Sequence, residues 1–214
     1  FRRVLFRSNR EMFSNAGAFV VNIISSPGSG KTTLLEATLD RLTESLNIAV
    51  IEGDVSTQRD MDRVRARGAS GVQINTGGGC HLSAAMVEKV LGDFDLDSAE
   101  IVFIENVGNL ICPSTYDLGE DVRMVLLSTT EGDDKPMKYP AIFHEANLAV
   151  INKIDLLPHL TYDMEKVEKE IHVLNPECEI LRLSALSGDG MDAWVDWIKR
   201  RKAEKSAALA GEAR

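Results

Sequence analysis

The stretch "AFVVNIISSPGSGKTTLL" (residues 18–35) joins a continuous apolar run, a proline–glycine turn and the start of a leucine-rich helical pattern. A short apolar run bounded by turn residues reads as a strand buried on both faces. Beyond the turn, Leu35, Leu39, Leu42 and Leu46 fall on one helical face. The segment between, "SSPGSGKTT" (25–33), supplies what a phosphate group requires. Gly28 and Gly30 let the backbone come close, and the helix N-terminus directs N–H groups and a positive dipole end at the anion. Gly28, Ser29, Gly30, Lys31, Thr32 and Thr33 are therefore candidate nucleotide contacts. Lys31 would reach the β- and γ-phosphates, and the Thr32 hydroxyl would bind Mg²⁺. The usual pattern opens with glycine where this chain has Ser25, and a small residue fits there.

Outward from that loop, apolar runs and helical patterns alternate. Strands are expected at 48–54, 71–75, 99–106, 121–129, 147–155 and 178–185 in addition to 18–25. The expected fold is α/β: a single doubly wound, mostly parallel sheet forming a P-loop NTPase domain over residues 9–203. The opening octet "FRRVLFRS" lacks a methionine and resembles translated sequencing adapter, so residues 1–8 are expected to be a non-native leader that replaces any true N-terminal extension. The alanine-rich stretch 204–214 is expected to fray.

The 214 residues are 44% hydrophobic, enough for one sizeable core. With 24 basic against 33 acidic residues, the formal charge is −9, which points away from nucleic acid and from anionic membrane. No apolar run approaches the length of a membrane span. Three cysteines without a secretory signal suggest a reducing compartment, with the cytoplasm as default.

Base choice is addressed by "NKID" (152–155) at a strand end. The Asp155 carboxylate accepts from guanine N1–H and N2–H₂, a donor pair that adenine lacks. Asn152 would bond the base N7, and the Lys153 stem would stack on the ring. "SAL" (184–186) places Ser184 and Ala185 where a further base contact is made. Two more carboxylates end strands, Asp54 in "IEGD" and Glu105 in "FIENVG". Ligands in parallel sheets bind at carboxyl ends, so Asp54 and Glu105 are expected near Mg²⁺ with Thr32. Gly108 would offer its N–H to the γ-phosphate, and Asp54 is the candidate to position the attacking water.

In "NTGGGCHLS" (75–83), three glycines lead into Cys80 and His81; Cys112 follows the next strand in "NLICPS". All three ligands are expected on the nucleotide edge of the sheet, and thiolate with imidazole suits Zn²⁺ or Ni²⁺. Three ligands leave a tetrahedral site incomplete unless water or a second copy of the chain adds more. Cys178 has no ligand beside it and reads as core. The polar loop "TTEGDDKPMKYP" (129–140) reads equally as a switch, a partner contact or a solvated loop.

In order and spacing, "SSPGSGKTTLL", "EGD", "GGGCHL", "ENVGNLICP", "TEGDDKP" and "NKIDLLP" resemble the HypB family of nickel-incorporation GTPases. The sibling UreG family carries Cys-Pro-His where this chain has Cys80-His81 directly. The resemblance implies slow GTP hydrolysis and a Cys80, His81 and Cys112 metal site shared between protomers of a homodimer promoted by GTP. It also implies nickel delivery to a hydrogenase large subunit with a HypA-type accessory protein. The alternatives are a urease-type nickel accessory GTPase, a small-molecule kinase or ligase using ATP, and a non-catalytic metal chaperone gated by nucleotide.

Overall fold

Seven strands form one sheet in the order β3-β2-β4-β1-β5-β6-β7, with every neighbouring pair parallel. The computed structural model describes residues 2–54 and 59–212. In chain order the elements are α1 (Arg2–Asn15), β1 (Phe19–Ser25), α2 (Lys31–Leu42), β2 (Ile48–Asp54), α3 (Arg59–Ala66), β3 (Ser70–Asn75), α4 (Ala84–Val90) and β4 (Ile101–Glu105). They continue with β5 (Val122–Ser128), α5 (Lys135–Lys138), α6 (Pro140–His144), β6 (Leu148–Asn152), α7 (Met164–Leu174), β7 (Glu179–Arg182) and α8 (Met191–Glu212). The charged helix expected from "STQRD" onward is present from Arg59; residues 56–58 lie outside the described residues.

β1 is central, and all its residues are buried, as its unbroken apolar run requires. Successive side chains of a strand point to opposite faces. Val21 and Ile23 face one cluster built from Leu34, Leu35, Leu39 and Leu42 of α2 and Trp194, Trp197 and Ile198 of α8. On the other face, Val20 joins a cluster with Phe13 of α1 and Val87 of α4. Ile24, further along that face, joins a third cluster with Phe143 of α6 and Val167 and Ile171 of α7. Asn22 lies between Val20 and Ile24 on the same face, fully buried.

The first and last stretches of the described residues are helical. Residues 2–8 of the octet set aside above form the first half of α1, whose Asn9 amide donates to Ala84 O at 2.9 Å and Leu118 O at 3.0 Å. At the other end α8 runs to Glu212, where the alanine-rich composition suggested fraying. Lys202 pairs with Glu100, and Lys205 donates to Asp121 at 2.7 Å and to Ala18 O at 2.6 Å.

One buried bond joins α2 and α8 within the first cluster. Trp194 Nε1 donates to Thr38 Oγ1 at 2.8 Å, and Thr38 passes the bond to Leu34 O at 2.6 Å. Thr38→Val keeps the volume but strands the indole N–H away from water. Leaving a buried donor unsatisfied costs about 1–3 kcal/mol, so urea unfolding of the variant is expected to show a lowered midpoint with unchanged slope. An unshifted midpoint would mean that this bond does not hold α8 to α2.

Candidate functional site

Parallel strands bring their carboxyl ends to one edge, and the candidate residues gather there. The turn after β1 wraps back so that α2 starts at Lys31. Gly30 has φ +94°, and a Cβ there would meet Asn152 Nδ2 at 2.7 Å. Glycine is needed at that position on both counts. Lys31 Nζ donates to Ser25 Oγ at 2.8 Å, so the small residue at the start of the loop receives the lysine. Ser29 is buried and donates to Glu131 at 2.7 Å, which ties the polar loop after β5 to the phosphate loop.

Beside the loop lies an open cleft of about 350 Å³, lined by Pro27, Lys31, Thr32, Glu52, Glu105 and Gly108, among others. Thr32 Oγ1 donates to Glu105 Oε1 at 3.1 Å. Glu52 and Glu105 are register partners on adjacent strands, and both are buried. Two carboxylates side by side with a hydroxyl make a hard-oxygen donor set, and their mutual repulsion favours a cation between them. The residues therefore fit Mg²⁺. Sequence reasoning overlooked Glu52, although it stands in the quoted "IEGD" and alternation puts it on the same strand face as Asp54. Asp54 closes β2, and its side chain lies outside the described residues. Gly108 sits so close to the phosphate loop that a Cβ would lie 3.2 Å from Pro27.

The base end is built around Asn152. Its amide donates to Ser29 O at 2.9 Å, and its Oδ1 accepts from Lys153 N at 2.8 Å and Ala185 N at 3.1 Å. Asn152 and Ala185, both expected at the base, also fasten three loops together. Lys153 is the one non-glycine residue at positive φ (64°) among the described residues. This uncommon backbone sends its Nζ over the phosphate loop to Gly28 O at 2.7 Å. Ser184 is buried and accepts from Ser187 N. Asp155 Oδ1 is shielded from solvent and has no hydrogen-bond partner, which suits a carboxylate awaiting donors from a ligand.

The soft ligands also converge. Among the described residues, the donor atoms of Cys80, His81 and Cys112 lie within 4.8 Å of one another. Cys80 is exposed and its Sγ is 3.6 Å from His81 Nδ1. The His81 ring stacks on Tyr116 with centroids 3.8 Å apart. Cys112 opens a 3₁₀ turn capped by Asn109, whose Oδ1 accepts from Cys112 N and whose Nδ2 reaches Sγ at 3.5 Å. A hydrogen bond with Cys80, followed by desolvation, holds the Cys112 thiol above its ordinary range. A metal ion would take the place of that shared proton. Cys178 is buried in the third apolar cluster, its pKa pushed up to about 11 by desolvation.

A phosphate loop at a helix N-terminus, an Asp155 with one shielded carboxylate oxygen and a cleft of hard oxygen donors define a P-loop nucleotide-binding protein, here with a thiol–imidazole cluster as well. Residues 19–182 match the family model described as "CobW/HypB/UreG, nucleotide-binding domain", and the chain belongs to that family. It is 50% identical over 198 residues to the hydrogenase maturation factor HypB of Escherichia coli K12, covering 92% of this chain and 68% of that protein. The crystal structure of the hydrogenase maturation factor HypB from Archaeoglobus fulgidus superposes with a TM-score of 0.88 at 39% identity, covering 94% of this chain and 98% of that one. HypB from Helicobacter pylori, solved in complex with nickel, gives 0.90 at 37% identity, covering 96% of each chain.

The two classes of cysteine are separable in solution. Alkylation at mildly alkaline pH is expected to modify Cys80, because it is exposed, and to spare Cys178, which burial keeps as the neutral thiol. Cys80→Ala and Cys112→Ala are each expected to abolish most Ni²⁺ binding by titration, whereas Cys178→Ala retains it. Equal Ni²⁺ affinity in all three variants would dissolve the cluster as a site.

Proposed function

We propose that this chain is a GTPase that couples its nucleotide state to the handling of nickel during hydrogenase maturation. One observation carries the reading most directly: the end of β4 and the loop that follows it serve both sites. Glu105 bonds Thr32 in the cleft, and Cys112, further along that loop, joins Cys80 and His81. A change in how the cleft is filled therefore acts on the connection that carries a metal ligand. Similarity to relatives called hydrogenase maturation factors, one of them crystallised with nickel, supports the choice of process and metal.

The proposed chemistry is in-line attack of water on the γ-phosphorus of GTP. The phosphate-loop amides and Lys31 hold the β- and γ-phosphate oxygens and offset the charge that grows in the transition state. Bound Mg²⁺ would add positive charge at those oxygens, held by Thr32 and the Glu52 and Glu105 carboxylates directly or through water. Asp155 selects guanine by accepting its N1–H and N2–H₂. Asp54 positions the water. Nickel is cargo: the thiolates and imidazole bind it softly enough to release it. Cys80 is exposed, and Ile111 beside Cys112 is 65% exposed. A second protomer placed there would cover the apolar side chain and complete the ligand set, so the working form is a homodimer promoted by GTP. A HypA-type accessory protein and the hydrogenase large subunit are the proposed partners.

Two substitutions test the nucleotide half. Asp155→Asn is expected to weaken GTP binding and to favour xanthosine triphosphate, whose 2-oxo group meets the new amide donor. If the unaltered protein binds ATP as tightly as GTP, the base assignment is wrong. Lys31→Ala is expected to remove GTP hydrolysis in a single-turnover assay while circular dichroism stays unchanged. Normal hydrolysis by that variant would end the proposed mechanism.

A further inference from the structure

A chain of buried polar side chains crosses the sheet between the second and third apolar clusters. It starts at Asn106, directly after Glu105 and 1% exposed. Asn106 Oδ1 accepts from two backbone donors, Val107 N at 2.9 Å and Leu82 N at 3.1 Å. Val107 lines the nucleotide cleft, and Leu82 follows His81 in sequence. One amide oxygen thus holds the cleft wall and the metal loop together. Asn106 Nδ2 donates to Asn22 Oδ1 at 3.2 Å, and Asn22 Nδ2 donates to Glu120 Oε1 at 3.2 Å. The buried Glu120 carboxylate accepts from Leu118 N and pairs with Arg123 at 3.1 Å. Arg123 then donates to Ser114 O at 3.1 Å and Tyr116 O at 3.0 Å. Those carbonyls belong to the turn that opens at Cys112 and to the residue whose ring stacks on His81.

The direction of this chain is set by its ends. Backbone N–H groups only donate, so Asn106 must turn its oxygen toward Leu82 and Val107. An ionised carboxylate only accepts, so Asn22 must turn its nitrogen toward Glu120. The central bond, Asn106 Nδ2 to Asn22 Oδ1, then has its donor and acceptor assigned without freedom. Each of the two positions needs a side chain that both donates and accepts, because no apolar or acidic residue satisfies both neighbours.

We infer that Asn106 is a positioning residue: through Leu82 and through Asn22, Glu120 and Arg123 it transmits the state of the nucleotide cleft to both halves of the Cys80, His81 and Cys112 site. Asn106 lies in the first peptide links after a cleft carboxylate, so a shift of Val107 on nucleotide binding cannot keep both of its accepted bonds. Either Leu82 follows or one buried N–H loses its partner. This inference rests on the nucleotide-controlled metal reading above.

The test is a titration of the whole chain with nickel chloride, read by the thiolate-to-nickel absorption band, once with GDP and once with a non-hydrolysable GTP analogue. Couplings between sites of this kind are typically about 5- to 150-fold in affinity. In Asn106→Ala the ratio of the two nickel affinities is expected to fall to within about 2-fold of one, and the band is expected to stop changing with nucleotide. A residue that served stability alone would lower the melting temperature and leave the ratio intact. Arg123→Lys keeps the charge opposite Glu120 but removes the fork to Ser114 and Tyr116. It is expected to bind nucleotide as the unaltered protein does, with a reduced ratio, and it decides the matter if Asn106→Ala does not fold. A folded Asn106→Ala with the original ratio overturns the relay, as does Arg123→Lys with the original ratio in its place. Equal nickel affinity with GDP and analogue in the unaltered protein would instead bring down the nucleotide-controlled reading itself.

Discussion

Everything at the site depends on a directional constraint: parallel strands end on the same side. A phosphate loop has to follow a strand, and its helix has to start where that strand stops. With β1 in the middle of the sheet, the loop receives neighbours from both sides. β4 delivers Glu105 to Thr32, and the loop after β5 delivers Glu131 to Ser29. β6 delivers Asn152, whose amide reaches Ser29 O as well as the two base loops. The apolar strands supply most of the stability, at about 1.5–3 kcal/mol for each large side chain fully buried. What they make possible is a set of polar loops held by specific hydrogen bonds.

Much of this was legible in sequence because it is carried by local signals. Seven apolar runs of strand length marked seven strands, and glycine spacing marked the phosphate loop. The convergence of Cys80, His81 and Cys112 followed from each lying after a strand end. Strand order did not follow, since the pairing of β4 between β1 and β2 is decided by non-local packing. α1 was hidden by an opening that reads as foreign, although Phe13 is fully buried and Asn9 bonds the start of α4 and the loop before β5. The bond from Asn152 to Ser29 O was not legible, because an asparagine at a strand end has no sequence signal for a partner more than a hundred residues away. Glu52 was passed over because alternation predicts which face a side chain takes, not how close the next strand brings a second carboxylate. Asn22 was the least visible, a single polar letter inside an apolar run.

A buried polar seam is an expensive feature in a fold with so many apolar residues. Burying an amide without partners costs about 1–3 kcal/mol on protein scales, and a buried ion pair is often no better than well-packed hydrophobic residues of the same volume. Asn22, Asn106, Glu120 and Arg123 escape the first penalty because each finds partners in the chain. They do not obviously gain stability over leucine or methionine in the same places. What they gain is a unique arrangement, since a hydrogen-bonded seam has one register and one direction.

The Cys80, His81 and Cys112 cluster has an asymmetry that follows from how its two loops are held. Cys112 is on the stiff side: Asn109 caps its turn, and Arg123 clamps the carbonyls behind it. Cys80 is on the permissive side, exposed and preceded by three glycines, of which Gly77 and Gly78 have positive φ. His81 stands between them, its ring stacked on Tyr116 from the stiff side and its backbone continuing the permissive loop. A site with three rigid ligands would hold a metal with one affinity, whatever happened in the cleft. A site with three mobile ligands would take no notice of the cleft either, because motion there would be absorbed. A ligand can shift an equilibrium only through a difference in affinity between two states. One thiol on a turn held by side-chain hydrogen bonds and one on a glycine loop, with a histidine between them, is the arrangement through which, on the reading proposed above, a small displacement at the cleft would change the geometry offered to a metal.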